Sequence, residues 1–246
     1  VLGTMFYVMD NVEGRILWDL TLPDSEPAER RAIYEAKIAT LAQLHNVDYA
    51  AIGLADYGRP GNYFARQIDR WTKQYKLSET ELMPEMERLI EWLPQTIPPQ
   101  HGSSVVHGDY RLDNVIFHKT EPRIIAVLDW ELSTLGDPLA DFTYVAMAWV
   151  TENGGRSGVM DLDRKALGIP ELDEMVERYC AATGRDGVPD MNWYFAYNFF
   201  RLAGIMQGIK KRVIDGTASS AHAKAMSERV LPLAQKAWHF AQQAGA

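Results

Sequence analysis

The sequence of 246 residues contains a single cysteine, Cys180, so an internal disulfide is excluded. Lack of disulfides fits a reducing compartment, and a cytoplasmic location is expected. No apolar run is long enough to span a membrane, and no charged-then-apolar signal segment opens the chain, so no membrane partner is expected. The 25 basic residues are outnumbered by 33 acidic ones, and the net charge of −8 argues against a general nucleic-acid binder.

Low-complexity tracts and clear internal repeats are also missing. So are glycine-rich phosphate-binding loops of the G-x-G-x-x-G or Walker type. What is present is an ordinary globular balance, with 47% hydrophobic and 24% charged residues. The length is enough for one large core or two modest domains.

Two polar clusters adjoin short apolar runs, at residues 105–117 and 124–131. Such runs are typical of buried strands, so the polar groups are expected where strands meet loops at the edge of a core. This arrangement aims Asp109, Asn114 and Asp129 at one place. Phosphoryl transfer needs such a set, because one carboxylate orients the acceptor hydroxyl while an amide oxygen and a second carboxylate hold Mg²⁺ on the nucleotide phosphates.

The first cluster has the order of a kinase catalytic loop: His107-Gly108-Asp109, a basic residue (Arg111) two places after the aspartate, and Asn114 five places after it. Together with Asp129-Trp130-Glu131, it resembles the catalytic core of the aminoglycoside phosphotransferase and choline kinase family, a small-molecule branch of the protein-kinase-like fold. The alternative is a β-hairpin whose polar residues only cap turns.

This resemblance implies ATP and Mg²⁺ as cofactors. It makes Asp109 and Arg111 the expected catalytic residues, and Asn114 and Asp129 the expected metal ligands. Glu131 is a further metal candidate, as a ligand of a second ion or a support of the first, because in an extended segment it would face the same side as Asp129.

The resemblance covers almost the whole chain and implies an α+β fold. Specifically, it implies a protein-kinase-like C-lobe that is mostly helical, with a small β insert carrying the catalytic loop. Residues 1–14 are expected to form the last N-lobe strand and the hinge, and residues 15–246 the helical C-lobe with the catalytic and metal-binding loops. Most of the N-lobe is expected to be absent from these residues, so they are not expected to be a competent enzyme alone.

In the resembled family, the apolar run at residues 5–9 corresponds to the strand that enters the hinge. Met9 then takes the gatekeeper position. The Asp10 carbonyl and the Val12 amide would bond the adenine edge, because an extended hinge leaves those backbone groups free. An ordinary edge strand followed by a turn is the alternative.

Hydrophobic periodicity predicts helices over most of the remaining chain. They are expected at residues 23–47, 64–75, 78–93, 142–150, 171–183, 191–213 and 219–243. The segment 191–213 is apolar nearly all round and rich in aromatics, so it is expected to be a central buried helix. His45 is expected to be a satisfied interior residue, and Asp137 and Asp141 to cap and support the catalytic loop rather than bind metal.

Four further segments, at residues 3–9, 62–67, 88–94 and 198–205, are similar to the kinase-like domain that some eukaryotes fuse ahead of acyl-CoA dehydrogenases, and to its bacterial stand-alone relatives. This similarity implies a kinase that phosphorylates a chain hydroxyl of hydroxyacyl-CoA. Two other classes stay open: a kinase for aminoglycoside, choline or homoserine-like hydroxyls, and a non-catalytic pseudokinase-like binding module.

The expected partner is a small-molecule acceptor that enters between the Asp109 loop and the aromatic helix at 191–213. A hydroxyacyl chain suits an apolar wall, and the phosphates of CoA want basic residues near the mouth. The candidate substrate contacts are Trp149, Arg201, Lys210 and Lys211. An aminoglycoside would instead require acidic residues there. The sequence leaves a homodimer open.

Overall fold

The computed structural model describes residue 3 and residues 8–100, 102–154, 157–218 and 220–246. Within these residues the chain is mostly helical with two small sheets, as predicted. The helices are α1 (Pro27–His45), α2 (Tyr63–Ser78), α3 (Pro84–Trp92), α4 (Leu139–Ala146), α5 (Arg164–Leu167), α6 (Leu172–Thr183), α7 (Met191–Ile214), α8 (Ala223–Ser227) and α9 (Val230–Gln243). The strands are β1 (Ser104–Val106), β2 (Val115–Phe117), β3 (Ile124–Val127) and β4 (Thr134–Gly136).

Helix α7 is the centre of the core, which confirms the prediction from its aromatic sequence. It packs against α9, α2, α4 and α8. The Phe64 ring of α2 meets Trp193 and Tyr197 of α7 edge-to-face, with centroid distances of 5.1 and 4.9 Å. These are favourable aromatic geometries, so large apolar rings fix how α2 sits on α7.

The two sheets support the two polar loops. Strand β1 pairs antiparallel with β4, and β2 pairs antiparallel with β3. The loop at residues 107–114, here the catalytic loop, runs from β1 to β2. The loop at 128–133, here the metal loop, runs from β3 to β4. Each loop therefore joins the same two sheets, which brings both to one edge.

Two predicted helix boundaries are wrong. The third helix begins at Pro84 rather than Ser78, because Ser78 is the last residue of α2 and Pro84 suits a first turn where no N–H partner is needed. Leu82, predicted to face inward, precedes that helix and is 73% exposed.

The predicted last helix is two helices, α8 and α9. Pro232 explains the break, because in one continuous helix its ring would clash with the carbonyl of Glu228, four residues earlier. Ser219, the predicted start, lies outside the described residues.

Residues 5–7 of the predicted first strand lie outside the described residues. Val8 and Met9 have no regular structure and are exposed. The chain then joins the scaffold at Arg15, whose N–H and carbonyl bond the backbone of Phe117 at 2.8 and 2.9 Å. Gly14 is needed there, because a Cβ would lie 2.3 Å from the Phe117 carbonyl oxygen. Among the described residues, no helix has the length and apolarity to cross a membrane.

Candidate active site

His107 joins the catalytic loop to the metal loop. Its side chain is fully buried, its Nε2 lies 2.7 Å from the Leu128 carbonyl oxygen, and its Nδ1 accepts the Asp109 N–H at 3.2 Å. Since the carbonyl only accepts, Nε2 carries the proton. The imidazole therefore holds the residues just before Asp109 next to the residues just before Asp129.

Asp141 of α4 anchors the start of the catalytic loop. Its carboxylate accepts the N–H of His107 at 2.5 Å and of Gly108 at 2.9 Å, and it lies 3.5 Å from Nε2 of His45. Burial alone would raise the pKa of Asp141, but the bonds from His45 and the two amides outweigh it and lower the pKa. His45 is buried and also bonds the Tyr179 hydroxyl at 2.7 Å. The predictions of a supporting Asp141 and a satisfied His45 are confirmed.

Asp137 has the predicted capping role. Its Oδ1 accepts the N–H of Leu139, the first residue of α4, at 2.9 Å. Neither Asp137 nor Asp141 is directed to the metal loop by these contacts.

The Asp109 carboxylate is held from three sides. Tyr144 of α4 donates its hydroxyl to Oδ1 at 2.9 Å, and Asn114 donates its amide to Oδ2 at 3.2 Å. The guanidinium Nε of Arg111 lies 3.5 Å from Oδ2. The Asp109 side chain is still 22% exposed. The carboxylate is thus fixed in orientation and open to a ligand, which a general base requires.

Gly108 lets the two loops approach each other. Its φ is +82°, and a Cβ there would lie 2.7 Å from the Leu132 carbonyl oxygen of the metal loop. A side chain would be strained by the backbone and blocked by that carbonyl. Arg201 of α7 donates to the Gly108 carbonyl oxygen, and its guanidinium lies over the rings of Trp71 and Tyr144.

Asn114 and Asp129 form a pair suited to Mg²⁺. Val115 pairs with Val127, and the Leu128 N–H bonds the Asn114 carbonyl at 2.8 Å, so Asp129 follows directly beside Asn114. The amide nitrogen of Asn114 is occupied by Asp109, which leaves its Oδ1 without a hydrogen bond to any described residue. Asp129 is exposed and adopts a left-handed conformation with φ of +63°, a strain that is common at functional sites.

The donor chemistry of this pair fits a metal bound together with phosphates. Among the described residues there is no cluster of three His, Cys, Asp or Glu side chains. Mg²⁺ sites on nucleotides need only one or two carboxylate or amide oxygens from the protein, because phosphates and water complete the shell. Asn114 and Asp129 would hold the ion and supply those oxygens.

The premise behind Glu131 is wrong. It was predicted to face the same side as Asp129 in an extended segment, but β3 ends at Val127 and residues Trp130–Leu132 form a 3₁₀ turn. Glu131 is exposed on that turn.

A cavity of about 380 Å³, within the size range of small-molecule sites, adjoins the residues that hold Asp109, although Asp109 itself does not line it. Tyr144 and Arg111, which both contact Asp109, line it. Its walls come from three regions: α1 and the segment before it, the catalytic loop with α4, and the helices α7 to α9. The lining residues are mostly apolar and include Trp18, Leu20, Tyr110, Val145, Met147, Phe199, Leu202, Met206, Met226 and Leu233.

The model of the phosphotransferase enzyme family (APH) matches residues 1–193. The chain belongs to this family. A crystal structure of a putative aminoglycoside phosphotransferase from Ralstonia eutropha is 55% identical with a TM-score of 0.92, and the match covers 96% of this chain and 72% of that one. The fold is thus that of the phosphotransferase family, as the kinase-like C-lobe prediction implied.

Curated relatives of this phosphotransferase domain carry the names of larger proteins. Acyl-CoA dehydrogenase family member 10 of Mus musculus is 44% identical over 100% of this chain and 23% of its own length. Acyl-CoA dehydrogenase family member 11 of Homo sapiens is 40% identical over 96% of this chain and 30% of its own length. The chain therefore spans a quarter to a third of these relatives, in agreement with the family predicted from the sequence.

None of the four predicted substrate contacts is among the described residues that line the cavity. Trp149 is buried and donates to the Pro170 carbonyl at 2.8 Å. Arg201 supports Gly108, Lys210 pairs with Glu81, and Lys211 pairs with Asp215. Each of the four polar groups has a partner within the protein, and their substrate-binding role stays a prediction. Arg201 is a positioning residue for the catalytic loop.

The predicted nucleotide contacts precede the bridge at Arg15. Met9 is 64% exposed and Val12 is 36% exposed, and Asp10 is exposed between them. Because Arg15 pairs with Phe117 of β2, this segment approaches the sheet that carries Asn114. The adenine-binding role of these three residues stays a prediction.

Sequence reasoning missed two residues of this phosphotransferase site, Tyr144 and Lys37. Tyr144 lies three residues after Asp141, so both project from one face of α4, and that spacing was the available signal. Lys37 lines the cavity and lies four residues from Ile33 and Leu41, which are fully buried. A lysine in phase with the apolar face of a helix was its signal.

Proposed function

We propose that this phosphotransferase domain transfers the terminal phosphoryl group of ATP to a hydroxyl of a small molecule, with Mg²⁺, and that the acceptor is a hydroxyacyl-CoA. The observation that carries the proposal is the oriented, partly exposed carboxylate of Asp109, whose partners Tyr144 and Arg111 line a cavity of small-molecule size. A binding module without chemistry has no need of a base held in this way.

The roles of the residues follow from their contacts. Asp109 accepts the proton of the acceptor hydroxyl, while Tyr144 and Asn114 keep its carboxylate in one orientation. Arg111 lies between Asp109 and Asp113, where its guanidinium can meet the negative charge of the transferred group. Bound Mg²⁺ supplies charge neutralisation of the phosphate oxygens. Met9, Asp10 and Val12 are proposed to line the adenine site.

The charge of the cavity supports an anionic acceptor. Its described lining includes the basic residues Lys37, Arg111 and Arg229 and one acidic residue, Asp113, which is paired with Arg111 at 2.9 Å. The cavity lining therefore carries net positive charge, although the whole chain has a net charge of −8. A polycationic aminoglycoside or a quaternary ammonium compound would be repelled, whereas acyl and phosphate oxygens would be attracted. The apolar walls suit the alkyl part of a hydroxyacyl group.

The test is phosphate transfer from ATP by the full-length protein to 4-hydroxyacyl-CoA, to an aminoglycoside and to choline. Asp109→Asn should lower kcat by about 10²–10⁴-fold with nearly unchanged ATP affinity, because the base is lost and the nucleotide site is kept. Asp129→Ala should abolish Mg²⁺-dependent ATP binding, as measured by calorimetry. Asp69→Asn, on the exposed face of α2, is the matched control and should leave both quantities unchanged.

Near-wild-type turnover of Asp109→Asn would remove Asp109 from the role of base. Turnover of choline or an aminoglycoside without turnover of the CoA ester would replace the proposed acceptor. ATP binding without transfer to any acceptor would favour a pseudokinase-like module.

A further inference from the structure

Lys37 is the anomalous side chain of the cavity. It is only 6% exposed, on the face of α1 that also buries Ile33, Tyr34 and Leu41. Lysine is almost never buried to this extent unless its ammonium group is paired. Within the described residues, the Lys37 ammonium group forms no hydrogen bond and no ion pair. The hydrogen bond that Lys37 does make is through its backbone carbonyl, which accepts the Tyr110 hydroxyl at 3.0 Å.

The neighbouring charges do not serve as partners for Lys37. The nearest acid that acts on it is Asp113, whose carboxylate is engaged by Arg111 at 2.9 Å. Arg111 adds a repulsive charge of the same sign. The other walls around it, such as Leu20, Leu112 and Val145, are apolar. The Lys37 ammonium group is therefore buried next to the open space of the cavity, and no oxygen atom of the described residues accepts a hydrogen bond from it.

We propose that the ammonium group of Lys37 binds an acyl oxygen of the acceptor, either the carboxylate of a hydroxy acid or the thioester carbonyl of its CoA derivative. This inference rests on the proposed function and adds to it the residue that selects acyl compounds over plain alcohols. The hydroxyl lies at Asp109, the acyl oxygen lies at Lys37, and the apolar walls contact the carbon chain between and around them.

The position of Lys37 explains why the cavity would select acceptors by their acyl group and not by their negative charge alone. Arg111 and Arg229 are exposed and can attract any anion at the mouth of the cavity. Lys37 is surrounded by apolar walls, so its hydrogen bond to an acyl oxygen forms away from competing water. An alcohol without an acyl group would leave the ammonium group unpaired and bind less well.

The test compares three acceptors, 4-hydroxypentanoyl-CoA, 4-hydroxypentanoate and 2-pentanol, on the full-length protein. Lys37→Met keeps the length of the side chain and removes the charge. For the two acyl acceptors it should raise KM about 10- to 100-fold with kcat changed less than about threefold, the scale of a lost hydrogen bond to a charged group. For 2-pentanol, kcat/KM should change less than about twofold, because that acceptor has no oxygen for Lys37.

Two further variants sharpen the result. Lys37→Arg keeps a cation and should restore part of the affinity for both acyl acceptors. Lys73→Met removes a lysine on the exposed face of α2 and should change nothing. Calorimetry with a non-hydrolysable ATP analogue measures acceptor binding without turnover. A stronger effect of Lys37→Met on the free acid than on the CoA ester identifies the carboxylate as the preferred group, and the reverse identifies the thioester carbonyl.

The proposal is overturned if Lys37→Met binds and phosphorylates the acyl acceptors within about twofold of wild type. It is also overturned if it weakens 2-pentanol as strongly as the acyl acceptors. If Lys37→Met does not fold, the wild-type protein decides: a preference below about tenfold for either acyl acceptor over 2-pentanol contradicts the proposal. Calorimetric binding that depends on Lys37, without phosphate transfer, would overturn the proposed function while supporting this inference.

Discussion

At the scale of single residues, the carboxylate of Asp109 owes its orientation to one neighbour from α4 and one from its own loop. Tyr144 donates to one oxygen and Asn114 to the other. Two donors on opposite oxygens fix the plane of the carboxylate and so the direction from which a hydroxyl approaches. The Tyr144 ring also lies beneath the guanidinium of Arg201.

Tyr144→Phe keeps that ring and removes only the hydroxyl bond to Asp109. We expect kcat to fall about tenfold, because a hydrogen bond to a charged group contributes about 1.5 kcal/mol or more. Steady-state kinetics at saturating ATP measures it. Tyr75→Phe is the control, since within the described residues the Tyr75 hydroxyl has no hydrogen-bond partner. An unchanged kcat for Tyr144→Phe would show that Asn114 alone orients the base.

The pKa of Lys37 is lowered from its ordinary value of 10.5 to about 8, because the lowering by burial, with a smaller contribution from Arg111, outweighs the opposing charge of Asp113. Below pH 8 the lysine is charged in both folded and unfolded chains, and its burial destabilises the fold in full. Between pH 8 and 10.5 the unfolded chain binds more protons than the folded one, so stability rises with pH. Above that range the penalty is gone.

Lys37→Met should therefore be more stable than wild type at pH 7 by about 3 kcal/mol, because the pKa of the buried lysine falls from 10.5 to about 8 on folding. This advantage should shrink as the pH rises from 8 to 10.5. Urea unfolding of both proteins across that range measures the difference and cancels the titration of all other groups. A difference that is independent of pH would contradict the lowered pKa.

At the scale of elements, helix α4 supports the catalytic loop through hydrogen bonds to Asp141. Asp141→Asn should destabilise the protein by about 2–4 kcal/mol at pH 7, because one backbone N–H loses its acceptor in a buried site. The folded pKa of Asp141 lies below its ordinary value of 3.8, so its stabilisation is full above that pH and is lost as the pH falls below it. Urea unfolding at pH 7 and in acid should show the gap between the two proteins closing.

Elements with a strong local signal were predictable from the sequence. The aromatic run of α7 and the helix at α1 were found because apolar periodicity is a local property, although α1 begins at Pro27 and not at residue 23. The start of α3 was missed because leucine at 82 fits a helical pattern although the helix begins two residues later. Pro232 indicates the break between α8 and α9 in the sequence. It was overlooked because the amphipathic pattern runs through both helices.

The residues of the candidate site also fall into those that a local sequence pattern predicts and those that it does not. Asp109, Asn114 and Asp129 lie in contiguous clusters with fixed spacing, so their meeting could be inferred. Tyr144, Arg201 and Lys37 come to this site through helix packing, so helical spacing could mark Tyr144 and Lys37 as unusual but could not show which loop they meet. Glu131 was misjudged because the strand was expected to continue, whereas a 3₁₀ turn follows β3 after Leu128 and Asp129.

At the scale of the whole molecule, the aromatic contact of α2 with α7 stabilises a core remote from the chemistry. Phe64→Ala should lower the free energy of unfolding by about 3–5 kcal/mol, because a large buried ring is removed and a cavity remains. The KM values of the folded fraction should not change, since Phe64 does not line the acceptor cavity. Leu77→Ala, at a side chain 87% exposed, is the control, and chemical denaturation measures both.

The boundary of the family match has a consequence for how such proteins diversify. The match ends at residue 193, at the start of α7, whereas Phe199, Leu202, Met206 and Arg229 of the cavity wall lie after it. The groups proposed to perform the transfer thus come early in the chain, and much of the surface of the proposed acceptor cavity comes late. Changes in the last quarter of the chain can select a new acceptor while the transfer chemistry is inherited intact, so shared family membership predicts the reaction better than it predicts the molecule that receives the phosphate.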